Sequence, residues 1–479
     1  MRRRNFLFAG LAVLVSGTAG FAAYAWHPAI APITPPAASS FEAATVRRGA
    51  ELAAVGNCNV CHSAPGGRVF AGGLAMPTPF GTVYSTNITP DPETGIGRWS
   101  EAAFARSMRE GLDREGRHLY PAFPYDHFTR TTDADNRALY AFLMTREPVA
   151  AETPANDLPF PLNQRFVLAG WKLLFFRAGG QPIPPPAGPQ APADSGTPDA
   201  LWNRGAYLAE GLGHCGACHT PRNALGAERT DAHFAGGEAE GWHAYALNAD
   251  SPAAVPWTEA AMADYLRQGW QAQHGVARGS MAPVVGNLAA VPDADVQAIA
   301  HYVVSRMGAP SAERRQRADQ ALQRARGGGP GAQPAMGDSQ VATGPEAGAG
   351  GRAIYAAACA TCHEAGRPLP FGGMHLALST GVTGPSPENL LNVVLNGLPA
   401  SASERAPIMP GFRGTLDDAQ LTALTQYLRA AFAPGRPGWT DVPGQVRAAQ
   451  ASDRAASRPM VAAQRRLATQ NVPADPARP

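Results

Sequence analysis

The chain has 479 residues, enough for about three domains at roughly 100–200 residues each. Its 40 basic and 38 acidic side chains leave a formal charge of +2, without the basic stripe that a phosphate backbone requires, so nucleic acid is excluded as a partner. Glycine and proline, 52 and 45 residues, cluster in a few stretches and mark linkers between packed regions.

The first element is apolar. MRRRNFLFAGLAVLVSGTAGFAAYAW opens with three arginines and runs uncharged from Phe6 to Trp26. As a helix those 21 residues would measure about 31 Å, near the roughly 30 Å hydrocarbon core of a bilayer. The length favours a transmembrane anchor within residues 1–30, with the arginines cytoplasmic and the remainder on the periplasmic side of the cytoplasmic membrane. Ala23-Tyr24-Ala25 is also an A-x-A-like cleavage site, and a signal segment cut there would release a periplasmic protein.

Three blocks follow in the same internal order. In the first, residues 42–180, a helix in VRRGAELAAVGNCNVCH leads to Cys58, Cys61 and His62. A middle helix, WSEAAFARSMREG, then precedes the loop HLYPAFPYDH, and DADNRALYAFLMTR closes the block with an aspartate-capped helix from Asp133. Residues 181–200 are a proline-rich linker. The second block, 201–308, repeats the order with Cys215, Cys218 and His219, the middle helix WTEAAMADYLRQG, Met281 in GSMAPVV, and a closing helix from Asp293. Residues 309–350 are charged and then glycine-rich, with too few apolar residues to pack, and read as a disordered linker. The third block, 351–433, carries Cys359, Cys362 and His363, then SPENLLNVVLNGL, Met409 in APIMPGF and a closing helix from Asp417. Residues 434–479 lack a periodic apolar face and read as a disordered tail. Aligned closing helices put an aromatic at one point, Phe142, Tyr302 and Tyr427.

All six cysteines lie in CNVCH, CGACH and CATCH, so none remains for a disulfide. C-x-x-C-H attaches c-type haem: two thiols form thioethers with the porphyrin and the adjacent imidazole reaches the iron. Three copies predict three covalently bound haems c. Zinc sites lack the fixed triple, and a thioredoxin motif needs a βαβ context that is absent. Methionine on the opposite face would favour ferrous iron and electron transfer, and Met281 and Met409 stand at the right stage of their blocks. Counted from the motif histidine, the equivalent place in the first block falls at Pro124, next to Phe123, and holds no sulfur. The sixth ligand there stays open between His118 or His127, one of Met76, Met108 and Met144, and a vacant iron.

The order of helices resembles class I cytochrome c, so the fold class expected is all-α, three such domains in tandem behind the N-terminal segment. Residues 42–432 as a whole resemble the tri-haem cytochrome c subunits of bacterial membrane-bound dehydrogenases, on TPFGTVYSTNITPDPETGIGRWS, GRHLYPAFPYDHFT, GHCGACHTPRN and MPGF. The resemblance implies an electron-transfer subunit with no catalytic residue of its own, fed by a catalytic dehydrogenase subunit and discharging to ubiquinone or a terminal oxidase. It supports His62, His219 and His363 as proximal ligands and Met281 and Met409 as distal ones. Alcohol dehydrogenase members carry YPAMPY where this chain has YPAFPY. The Phe form, with DHFT and LMTREPV, looks more like subunits serving molybdopterin and iron–sulfur enzymes that oxidise aldehydes or N-heterocycles. Two readings compete: the cytochrome subunit of a quinoprotein alcohol dehydrogenase, and a small-molecule haem enzyme such as a peroxidase at an open first iron.

Overall fold

The computed structural model describes residues 15–183, 200–326, 345–364, 367–398 and 407–452. The start of the N-terminal stretch, most of the linker 181–200, and residues 327–344 and 453–479 fall outside them. The chain is mostly helical and divides into two compact units: the first runs to Pro182 and takes in Glu210–His214, and the second holds the rest.

In the first unit, helix α1 covers residues 15–25. Helix α2 (Ala43–Val55) leads to the one-turn α3 (Cys58–Cys61), and a hairpin of β1 (Ala75–Thr78) and β2 (Gly81–Tyr84) follows. Then come α4 (Glu101–Glu110), the short α5 (Tyr125–Phe128), α6 (Asp133–Met144) and α7 (Val167–Phe175). The second unit repeats the plan with α8 (Ala200–Glu210), α9 (Gly216–His219), hairpin β3 (Gly237–Ala239)–β4 (Trp242–Ala244), α10 (Glu259–Gln268), hairpin β5 (Trp270–Gln271)–β6 (Gly275–Val276), α11 (Met281–Leu288) and α12 (Asp293–Met307). After α13 (Ala312–Arg326) come α14 (Pro345–Ala358), α15 (Ala360–His363), α16 (Thr380–Thr383), α17 (Glu388–Asn396), α18 (Asp418–Phe432) and α19 (Val442–Ala451). Among the described residues, three short hairpins and five isolated bridges interrupt the helical plan.

Local chemistry sets the helix ends. Ser100 and Thr258 accept hydrogen bonds from the backbone N–H groups of Ala103 and Ala261, and a glutamate follows each cap where the helix dipole favours it. Asp417 caps α18 in a full capping box with Gln420. The expected aspartate caps at Asp133 and Asp293 are corrected: Thr132 caps α6, Pro292 precedes α12 without a side-chain cap, and both aspartates stand in the first turn. There they pair with Arg109 and Arg267, which tie the middle helices to the closing ones.

The three blocks share one packing joint. The first helix of each crosses the closing helix at Gly49, Gly205 or Gly351, where an added Cβ would strike the carbonyl of Ala138, Ala298 or Ala423 and the Cβ of Phe142, Tyr302 or Tyr427. Only a residue without a side chain allows that approach. The third block's core gathers Leu391, Leu395, Leu421 and Leu424, each at most 2 % exposed. Burial of each such side chain contributes about 1.5–3 kcal/mol.

Two expectations of disorder are corrected. Within 309–350, α13 is formed, with Ala318 and Ala321 buried and Leu322 and Ala325 packed beside Leu378. Arg314 fastens it by donating to the carbonyls of Ala249 and Ser251 at 2.9 Å each. A stripe of small residues is too weak a hydrophobic signal to stand out in so charged a segment, yet it suffices against a neighbouring surface. Within 434–479, α19 buries Val442, Val446 and Ala449 in the third block's core, and Asp441 caps it.

Candidate haem-binding sites

Each C-x-x-C-H folds as one helical turn, which puts the two thiols on one side. His62, His219 and His363 close it with backbone N–H bonds of 2.9, 3.0 and 3.1 Å to the carbonyls of Cys58, Cys215 and Cys359. None of the six thiols is in a disulfide. Burial and the neighbouring Cys61 push the Cys58 thiol up to about 12, burial and Cys362 push Cys359 up to about 11, and burial raises Cys218. A redox dithiol needs thiolate, which the surroundings of Cys58, Cys218 and Cys359 oppose. Neutral thiols awaiting covalent capture fit them.

The imidazoles are held alike. Nδ1 lies 2.6 Å from the carbonyl of Thr86 for His62, 2.6 Å from that of Tyr245 for His219, and 2.8 Å from that of Met374 for His363. A carbonyl only accepts, so each Nδ1 carries the proton and each Nε2 keeps a lone pair for a metal. Burial holds all three below the ordinary histidine range and so keeps them neutral, against the weaker opposing pull of those carbonyls. In the third block a Cβ on Gly373 would come within 2.9 Å of the His363 ring, so the chain leaves that space to the imidazole. The first two blocks share a further clasp. Phe70 and Phe234, at φ 64° and 57°, donate their N–H groups to Ser63 and Thr220, the residues after the histidines, and take N–H bonds from Ile88 and Leu247. Sequence reading missed the carbonyls and this clasp, since a carbonyl leaves no mark in residue identity.

On the other side of each block the middle helix ends at a glycine of positive φ, namely Gly111, Gly269 and Gly397. In the first two blocks the chain returns to it: Leu119 and Ala277 donate N–H bonds of 2.8 and 2.9 Å to the carbonyls of Gly111 and Gly269. In the third, Leu398 and Met409 exchange bonds of 2.8 and 2.9 Å. The residue twelve places past the glycine is Phe123, Met281 and Met409 in turn. Counting from the glycine thus places Phe123 itself at the methionine position, where counting from the histidine falls one residue late. Met409 packs on the third core together with Cys359 and Ala360. Met281 opens helix α11 where a loop was expected, because Pro283, lacking an N–H, is harmless in the first turn.

The other candidates in the first block lie as follows. His118 is buried, with Nε2 3.0 Å from the carbonyl of Ala25 and its ring edge-on to His27. Burial, then the Lys172 charge, lowers it to about 4. His127 is buried with Nδ1 2.9 Å from the carbonyl of Glu210. Met108 and Met144 are core residues of α4 and α6, and Met76 stands in β1 opposite Val83. Phe123 packs edge-on to Phe128 at 5.3 Å.

Comparison with known proteins agrees with this geometry. The profile of the cytochrome c family matches residues 46–147, and that of cytochrome c oxidase, cbb3-type, subunit III matches 346–428. A nicotinate dehydrogenase subunit of Pseudomonas putida is 46% identical over 444 residues, which are 91% of this chain and 35% of that protein. This chain therefore spans about a third of that relative's length. The gluconate 2-dehydrogenase cytochrome c subunit of Pantoea cypripedii is 36% identical, over 88% of this chain and 90% of its own. The fructose dehydrogenase cytochrome subunit of Gluconobacter japonicus is 33% identical, over 83% and 82%. The shared motifs and similarity over most of the length lead to one statement: this chain belongs to the family of dehydrogenase cytochrome c subunits.

Proposed function

We propose that the chain holds three covalent haems c and passes electrons from a periplasmic dehydrogenase to ubiquinone or a terminal oxidase. What carries the reading is the threefold motif turn with its imidazole fixed by Nδ1 to a carbonyl. Cys58 and Cys61, Cys215 and Cys218, and Cys359 and Cys362 attach the porphyrins, and His62, His219 and His363 ligate iron through Nε2. Met281 and Met409 supply the second ligand in their blocks. Bound haem provides a one-electron iron couple; the protein's part is to keep the imidazoles neutral and oriented and to exclude water. The partner favoured is a molybdopterin and iron–sulfur catalytic subunit. In its support, identity reaches 46% with the nicotinate dehydrogenase protein, against 33% with the cytochrome c subunit of alcohol dehydrogenase (quinone) from Gluconobacter oxydans.

The first iron is assigned neither sulfur nor a flanking imidazole. Supporting this, Phe123 holds the methionine position, and His118 engages the Ala25 carbonyl through Nε2, the nitrogen that the motif histidines keep for iron. A second reading, small-molecule chemistry at that iron, draws on the same residue.

The N-terminal segment is assigned as an anchor at the periplasmic face. Residues 15–25 are helical and largely exposed, although among the described residues no helix is long and apolar enough to cross a membrane.

Intact mass and haem content of the purified native complex test the whole reading. Three haems on this chain and a co-purifying molybdenum subunit are expected. Two haems, or a quinoprotein partner, would overturn the corresponding part. Peroxide turnover by the isolated holoprotein would favour the enzymatic reading.

A further inference from the structure

Among the described residues, the seven large apolar side chains exposed in the first unit all fall on two stretches, residues 15–26 and 160–174. The first is α1 and its end. The second is α7 with its approach, which no haem motif or linker requires.

Helix α7 has two faces. Ala169 and Lys172, three apart, are buried, and Lys172 Nζ donates to the carbonyls of Glu110 and Gly111 at the end of α4. This bond pins the inner face. Phe166, Gly170, Leu173 and Leu174 fall on the opposite face at helical spacing, with Leu173 64% and Leu174 68% exposed. A Cβ at Gly170 would lie 4.0 Å from the Phe21 ring, so that face continues directly onto α1. Phe160 and Trp26 extend the same apolar composition at 80% and 71% exposure. From Leu158 to Ile183 the chain has no acidic residue, and Arg165 and Arg177 flank the helix.

We propose that α7 is a second membrane element, lying in the interface of an anionic phospholipid bilayer with Phe166, Leu173 and Leu174 among the acyl chains. The proposal rests on the anchor reading above and deepens it. A helix with an apolar outer face, aromatic borders and cations but no acids has the chemistry of an interfacial helix. The occupant is a bilayer because the same surface runs into α1, and α1 is the C-terminal half of the uncharged stretch from Phe6 to Trp26, which three arginines precede and whose length matches a membrane span. Docking at two points would fix the orientation of the first unit on the membrane, which a single flexible tether leaves free.

The test is hydroxyl-radical footprinting of the full-length holoprotein on vesicles of phosphatidylethanolamine and phosphatidylglycerol, with vesicle flotation in parallel. Leu225, 53% exposed, is the internal reference. In water Leu173 and Leu174 would label more than Leu225; on the vesicles the order is expected to invert. Replacing both leucines by serine, Leu173→Ser and Leu174→Ser, should raise labelling of Phe166 relative to Leu225, with haem absorption unchanged as the check on folding. A protein that floats while Leu173 and Leu174 label above Leu225 overturns the α7 inference and leaves the anchor intact. A protein that does not float overturns both. One that has lost its first 25 residues, by intact mass, yet floats with the inverted order supports α7 and overturns the anchor.

Discussion

The first block and the two that follow are built on the same joint, turn and glycine-capped loop, and differ in the side chain twelve places past the glycine. Met281 and Met409 offer sulfur where Phe123 offers a ring, yet the backbone around all three is fixed by a positive-φ glycine and short hydrogen bonds. The closing bonds are backbone bonds, which do not depend on the side chain at that place. Ligand chemistry and fold can be changed separately at this position, and exchanging the residues is the direct way to break the comparison.

The largest effect is expected from that exchange. In the holoprotein Phe123→Met should abolish carbon monoxide binding at the first haem and raise its potential by on the order of 0.1 V, a fraction of the roughly 0.8 V over which axial ligands tune haem iron. Met281→Phe should do the reverse, adding a second haem that binds carbon monoxide. Redox titration with carbon monoxide difference spectra reads both. Unchanged stoichiometry in Phe123→Met would mean that the methionine position has been misplaced.

The shared joint gives the next test. Gly49→Ala, Gly205→Ala and Gly351→Ala each force a Cβ into the backbone of the closing helix, and each should cost about 1–3 kcal/mol as local overpacking. Thermal melts followed at the haem band should fall by similar amounts in all three variants. A neutral substitution in one block would show that its helices cross differently.

The units also differ in what has been added to them: α7 in the first, α13 and α19 in the second. Val446 is fully buried in the third block's core, so Val446→Ala should destabilise the second unit by about 1–2 kcal/mol and leave the first unchanged. Limited proteolysis resolved by fragment would read the two units separately.

The smallest effect concerns pH within the second unit, where β4 meets α17. His243 and Asn389 exchange bonds of 2.9 and 2.8 Å there, and Asn392 donates to Gly241. Burial first, then the Glu238 carboxylate, pushes Glu388 up to about 7, while His243 beside Glu238 pulls the other way. The folded state thus binds its proton more tightly than the unfolded chain. The associated stability is present below the unfolded value and is lost as pH rises through about 7. Partial exposure reduces this to about 1 kcal/mol. Glu388→Gln should flatten the stability profile between pH 5 and 8, and a profile as steep as that of the parent would exclude Glu388 as its source.

The haem motifs and the threefold order of helices were legible because they depend on residue type at fixed spacing, whereas the crossing of each first helix with its closing helix at Gly49, Gly205 or Gly351 came from the structure. The Thr86, Tyr245 and Met374 carbonyls were not, because any residue supplies one. His274 illustrates a different gap. Read alone it passes for a surface histidine, but it is buried and stacked on Trp257 at 3.5 Å, a contact set by the β5–β6 turn.

By itself the sequence determined the covalent chemistry, since cysteine pairs and their histidines can be counted, and it determined the family through similarity over most of its length. It also held the register that makes Phe123 the counterpart of Met281, once the glycine is taken as the origin. Tertiary structure alone decided which ring nitrogen is free, that α13 and α19 pack where disorder was expected, and which face of α7 is left to solvent. Those outcomes depend on what lies across from each group: a carbonyl, a shallow apolar surface, or none of the described residues.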